Sequence, residues 1–293
     1  MAERFVIPDD LAWAAAHEGR GDWLAALPAL IARIAADWRI EVGDPFRPGG
    51  ATAWVAPVRD HAGNDFVLKV CWRHPEALHE ADGLRTWAGA GAIRLNRADE
   101  LAEATVLLIE RCRPGTQLRA SPPDEHDLVI ASLLPRLWME PPSGHRFRPL
   151  SDMCDYWASR YEQRSPAERG CLAAPLAEEG IRLLRELPRS GGDAVLLHTD
   201  LHAGNVLAAE REPWLAIDPK PYVGDPAYDV TQHIFNGVFI EDADAGALAA
   251  RMARLLDLDL DRVLRWLFAR AVEASPYWDG MADLAQTLYS SLT

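Results

Sequence analysis

Lysine is nearly absent: the 293-residue chain has only Lys69 and Lys220, against 28 arginines. That skew, with abundant alanine, reads as a GC-rich coding bias, and it makes each remaining lysine stand out. Cysteine is scarce too. Cys71, Cys112, Cys154 and Cys171 lie far apart with no C-x-x-C pair, which excludes a disulfide framework and a zinc knuckle and reads as reduced thiols. No run approaches the ~18 apolar residues of a membrane-spanning helix. The opening MAERFVIPDD places acids where a secretory signal needs a basic start and a clean apolar stretch. A cytoplasmic protein without a membrane partner is expected. Positive charge is in deficit, 44 acids to 30 bases for a net −14. This argues against a nucleic-acid partner, which needs basic surface to displace counterions, and favours cationic small molecules. With 49% hydrophobic and 25% charged residues, the chain can bury a core sized for one large domain or two ordinary ones.

Residues 9–38 read as helical, with Trp23, Leu27, Leu30, Ile31 and Ile34 at spacings of three and four. WRIEVG, ATAWVAPV and NDFVLKVC are short strand-type runs separated by turn clusters. A helix over about 75–89 and two further strand runs, AIRLNRA and ATVLLIE, bring this part to an end near 110–115. The expected domains are 1–112, a helical segment with a five-stranded sheet and one helix, and 113–293, mostly helical. In the second, helices are expected over 124–139, 151–163, 166–187, 226–238, 243–257, 259–273 and 280–291. Ser165-Pro166-Ala167-Glu168 reads as a capping box opening the third. Between these helices lies a strand-rich patch at 194–229.

That patch carries the chemistry. His198-Thr199-Asp200-Leu201-His202-Ala203-Gly204-Asn205 follows the apolar AVLL, and Asp218 ends a second apolar run thirteen residues after Asn205. Phosphoryl transfer needs this set: one carboxylate to orient the acceptor hydroxyl and take its proton, and an amide oxygen with a second carboxylate to hold Mg²⁺ against nucleotide phosphates. A phosphate-binding cation is offered by Lys69, inside the apolar run Val67-Leu68-Lys69-Val70, where a lone charge is costly to bury. Its partner is expected on the next helix, with Glu80 and, one turn earlier, Glu76 as the two candidates.

H-x-D-x-x-x-x-N, then I-D-P, then G-D-P-A-Y-D resembles the aminoglycoside phosphotransferase family, within it the streptomycin 6-phosphotransferase and hydroxyurea kinase branch. VLKVCWRHPEALHEADGLRTWAGAGAIRL, LLHTDLHAGNVL and AIDPKPYVGDPAYDV carry the branch likeness, and the resemblance covers about 40–240. It implies an α+β, bilobal protein-kinase-like fold, with a small β-rich N-lobe and a larger helical C-lobe. It implies ATP-dependent O-phosphorylation of a small cationic aminocyclitol antibiotic, streptomycin first, with ATP and Mg²⁺ as cofactors and no protein partner. By position, Asp200 would be the catalytic carboxylate and Asn205 and Asp218 the Mg²⁺ ligands. Lys69, held by Glu80, would contact the α- and β-phosphates. The turn Gly49-Gly50-Ala51-Thr52 would cover the phosphates, and the stretch Leu108–Cys112, with Glu110 and Cys112, would meet the adenine edge. Asp225 and Asp229 look structural.

The chain also departs from protein kinases. The turn at 49–52 is not G-x-G-x-x-G, Asp218 is followed by Pro219-Lys220 rather than Phe-Gly, and no Ala-Pro-Glu follows. The space before Asp225 is too short for an activation loop, so a protein substrate is not expected. Lys220 has two readings, a reach to a phosphate or acid and a structural ion pair. Asp229, Glu241, Asp242, Asp244, Glu273 and Asp279 are candidate acids for a cationic acceptor. Other readings remain: a kinase of hydroxyurea or of a metabolic sugar or amino alcohol, and a non-catalytic nucleotide-binding pseudokinase. A metal-dependent hydrolase is another, in which His198, Asp200 and His202 share one face of an extended strand.

Overall fold

A computed structural model describes residues 5–165, 168–169 and 172–292, leaving aside the side chain of Glu241. Cys171 lies outside the described residues. The chain forms two compact units, Met1–Gly115 and Thr116–Thr293.

In the first unit the expected long helix is two: α1 (Asp9–His17) and α2 (Gly21–Trp38). Gly19, at φ +67°, supplies the left-handed turn that ends α1. Then come β1 (Ile40–Val42), β2 (Ala53–Asp60), β3 (Asp65–Trp72), α3 (Glu80–Trp87), β4 (Leu95–Glu100) and β5 (Ala104–Glu110). The helix expected from 75 is a 3-10 turn, Pro75–Ala77, followed by the shorter α3. The sheet is antiparallel throughout, in the order β1-β2-β3-β5-β4. Strand alternation sorts its faces. Trp54, Ala56 and Val58 of β2, Leu68, Val70 and Trp72 of β3, and Val106 and Leu108 of β5 form one core with Leu27, Leu30, Ile31 and Ile34 of α2. Lys69 therefore falls on the opposite face.

The second unit is built from α4 (Pro123–Leu137), β6 (Arg148–Pro149), α5 (Leu150–Gln163), α6 (Ala174–Glu186), β7 (Val195–Leu197), β8 (Val206–Ala208), β9 (Trp214–Ala216), β10 (Tyr222–Gly224), α7 (Pro226–Asp229), α8 (Thr231–Glu241), α9 (Ala245–Leu256), α10 (Leu260–Ala274) and α11 (Met281–Leu292). Pro166 and Ala167 of the expected capping box lie outside the described residues. Ser165 donates from its N–H (2.9 Å) and Oγ (2.7 Å) to Glu168, yet α6 begins only at Ala174. The central element is α10, with Val263, Trp266, Leu267, Phe268, Ala271 and Val272 buried. A Cβ at Gly180 of α6 would stand 2.5–2.8 Å from the side chain of Val272, so only glycine permits that approach. Two small sheets, β6-β10-β7 and the hairpin β8-β9, present the loops that follow β7 and β9.

Candidate functional site

In the first unit, α3 delivers a carboxylate to the face of β3 that the α2 core leaves. Nζ of Lys69 donates to both oxygens of Glu80, at 2.7 and 2.8 Å, and both residues are buried. Glu80 is the first residue of α3, where the helix dipole favours negative charge. Glu76, the other candidate, lies exposed in the 3-10 turn. Gly50 and Thr52 precede β2. A Cβ at Gly50 would stand 3.1 Å from the carbonyl of Ala53, and Thr52 Oγ1 accepts a weak bond from Cys71 Sγ at 3.7 Å. The neighbouring Gly49 is required by a close approach of Pro8, whose Cβ would be 2.7 Å from a side chain there. Glu110 ends β5. Its N–H donates to Arg94 O (2.8 Å) and its carboxylate accepts from Arg94 N (2.9 Å). Those two groups are thus committed within the unit, and any adenine contact in this stretch falls to other backbone groups. Cys112 follows, half-buried, where Gly115 at φ +76° turns the chain.

In the second unit, two loops are sewn together by backbone and buried side chains. Lys220 N donates to His198 O (3.0 Å), Ile217 N to Asn205 O (2.9 Å), and Thr199 Oγ1 to Lys220 O (2.5 Å). His198 is fully buried. Its Nδ1 accepts from Asp200 N (3.3 Å), which places its proton on Nε2, facing Ile217 O at 3.1 Å. Burial pushes its pKa down to about 3, so the ring is a neutral spacer. His202 accepts from Gly204 N through Nδ1 (3.1 Å), capping the 3-10 turn Ala203–Asn205, and burial pushes its pKa down to about 4. That turn aims Asn205 back at Asp200: Nδ2 donates to the Asp200 carbonyl (2.9 Å) and to Oδ2 (3.3 Å). Lys220 Nζ approaches the same Oδ2 at 3.3 Å.

Asp229 is the keystone of these loops. From α7 it accepts the N–H of His198 (3.0 Å), the N–H of Thr199 (2.6 Å) and the indole N–H of Trp138 (3.1 Å). Burial pushes its pKa up to about 6 against those three bonds. Asp225 caps α7 through Ala227 N (3.0 Å) and takes Arg262 (2.6 Å) and Trp266 (2.5 Å) from α10. Motif spacing marked both aspartates. The hold of Asp229 on the peptide before Asp200, and that of Thr199 on Lys220, depend on tertiary closure and left no signal in the sequence.

Two expectations need correction. His198, Asp200 and His202 do not share the face of an extended strand: β7 ends at Leu197, Thr199 sits at φ +59°, and each histidine nitrogen named above is spent on backbone. Among the described residues no group of three or more His, Cys, Asp or Glu is placed to hold a metal ion. Several candidate acids are also engaged elsewhere. Asp229 is buried, Asp244 caps α9 through Ala247 N (2.6 Å), and Glu273 is half-buried, its pKa raised by burial against the pull of the Arg270, Arg160 and Arg164 charges. Asp242 and Asp279 are exposed. For Mg²⁺ the donor types fit: Asn205 gives its Nδ2 to the Asp200 carbonyl, its side-chain oxygen is a hard donor, and Asp218 is a carboxylate.

Residues 40–281 match the model of the aminoglycoside/hydroxyurea antibiotic resistance kinase family. The chain belongs to that family. It is a kinase, transferring a phosphoryl group to a hydroxyl. Streptomycin 6-kinase of Streptomyces griseus is 37% identical over 93% of this kinase and 90% of that protein. Hydroxyurea phosphotransferase of Kitasatospora aureofaciens is 34% identical over 86% of the kinase and 73% of that protein. Choline kinase LicA from Streptococcus pneumoniae superposes on the kinase with a TM-score of 0.61 at 13% identity, covering 92% and 99% of the two chains. At that identity the likeness concerns the fold, a protein-kinase-like one with a β-sheet N-lobe and a helical C-lobe. No helix among the described residues is long and apolar enough to cross a membrane.

Proposed function

We propose that the kinase phosphorylates streptomycin at its 6-hydroxyl, using ATP and Mg²⁺, and so inactivates the antibiotic. The observation that carries this reading is the 37% identity to a streptomycin 6-kinase across 93% of the chain. Asp200 is the catalytic carboxylate: it orients the acceptor hydroxyl and takes its proton as the phosphoryl group moves. Asn205 and Asp218 hold Mg²⁺, which when bound neutralises the phosphate oxygens. Lys69, fixed by Glu80, meets the α- and β-phosphates. Gly50 and Thr52 cover the phosphates, and backbone of the Glu110–Cys112 stretch reads the adenine edge. Catalysis is positioning and electrostatics rather than covalent chemistry on the protein.

The test is nucleotide consumption by the purified protein with Mg²⁺–ATP and a panel of streptomycin, other aminoglycosides and hydroxyurea, with each product weighed by mass spectrometry. Streptomycin heavier by one phosphoryl group is expected. Phosphorylated hydroxyurea with unmodified streptomycin would replace the acceptor. Nucleotide binding without turnover of any acceptor would overturn the substrate assignment.

A further inference from the structure

In a chain that uses arginine for 28 of its 30 basic side chains, both lysines stand against carboxylates of the candidate site. Lys69 is on Glu80 (2.7 Å) and Lys220 is on Asp200 (3.3 Å). The first has a role above; the second does not. Lys220 is no loosely tethered surface residue. Its N–H is on His198 and its carbonyl on Thr199 Oγ1, so its Cα is clamped to the residues that precede Asp200. Its side chain is 34% exposed, while that of Asp200 is 17% exposed. Lys220 is thus the more exposed member of the pair. Transfer must bring a polyanionic phosphoryl group up to this carboxylate, and two like charges at contact oppose that approach. A cation shared between them removes the opposition.

We infer that Lys220 is a catalytic residue of the transfer. Its ammonium bridges Asp200 and a non-bridging oxygen of the phosphoryl group in flight. This rests on the phosphotransferase reading of Asp200 above. The P–O bond to ADP breaks as the bond to the acceptor oxygen forms, the acceptor proton passes to Asp200, and Lys220 donates hydrogen bonds without gaining or losing a proton. Lysine suits the task where arginine does not. A compact ammonium with three rotatable donors can serve two partners at once, whereas a planar guanidinium closes bidentately on the carboxylate.

The experiment compares wild type, Lys220→Met and Lys220→Arg. With streptomycin as acceptor, Lys220→Met should lose ~100-fold in kcat, and Lys220→Arg should not recover it. As a readout independent of turnover, Lys220→Met should weaken binding of a non-hydrolysable ATP analogue about tenfold, with ADP affinity unchanged. Melting should shift by no more than a few degrees, because the Lys220 side chain that is replaced is a third exposed. A kcat within about threefold of wild type, full recovery by arginine, or equal loss of ADP and analogue binding would each overturn the inference. If wild type fails to phosphorylate streptomycin, the acceptor reading fails by itself. Lys220 is then judged on the ADP-to-analogue contrast and on slow nucleotide hydrolysis, and an unchanged rate in Lys220→Met would overturn its role.

Discussion

Thr199 and Asp218 hold left-handed backbone, at φ +59° and +57°. For a β-branched threonine this is a strained state costing of order 1–3 kcal/mol. The site over-determines it: Asp229 accepts from the Thr199 N–H, and Lys220 O accepts from its hydroxyl. The strain turns the next carboxylate, Asp200, toward Asn205 and Lys220. Replacing Asp200 by Asn should lower kcat by ~10²–10⁴, the range of a lost general base, with nucleotide affinity preserved. Asp218→Ala should instead raise the Kd for Mg²⁺–ATP about tenfold or more. Titration calorimetry and single-turnover assays separate the two, and full activity in either variant would contradict the assignment. Asp200, Asn205 and Asp218 stood out as candidates because one short segment carries all three, with residue types that phosphoryl chemistry calls for. The Asp229–Thr199 clamp was not, because it joins positions whose proximity only the fold creates.

Elements place what residues then use. β3 sends Leu68, Val70 and Trp72 into the core shared with α2, so alternation alone delivers Lys69 to the face that α3 supplies with Glu80. That relation was readable from the apolar run. The choice of Glu80 over Glu76 came from the resemblance rather than from the run, because it depends on where the 3-10 turn Pro75–Ala77 gives way to α3. Glu80→Gln removes the carboxylate that takes two bonds from the buried Lys69 ammonium and should cost ~3–5 kcal/mol of stability, measured by denaturant unfolding. A loss under 1 kcal/mol would show that other groups or water compensate Lys69. Gly180→Ala should destabilise by ~1–3 kcal/mol through overpacking, since its Cβ would press on Val272. An unchanged midpoint would mean that α6 and α10 part easily. The late start of α6 at Ala174 and the break between α1 and α2 escaped periodicity, which registers an apolar stripe without registering where a cap or a left-handed glycine interrupts it.

For the whole molecule, His198, His202 and Asp229 set an acid sensitivity whose sign can be worked out. His198 and His202, lowered to about 3 and about 4, stay neutral when folded and charge when unfolded below their ordinary value near 6.5. Each contributes stability that is present above about pH 6.5 and lost as pH falls. Asp229, raised to about 6, acts the other way, binding a proton in the folded state that the unfolded chain releases. Between pH 5 and 6 the unfolded chain therefore binds about one more proton, and stability should rise by ~1.4 kcal/mol per pH unit. Urea titrations across that window check it, and a flat or falling profile would contradict the neutral-histidine account. The family relation assigns the reaction, and the proposed machinery and acceptor are read from it, so the central claim is a specific product. The most direct test is to treat streptomycin with the protein and Mg²⁺–ATP, assign the phosphorylated position by NMR, and repeat with Asp200→Asn. The account predicts a 6-O-phosphate formed by wild type and none by the variant. A phosphate elsewhere on the antibiotic, or the same product from the variant, would contradict it.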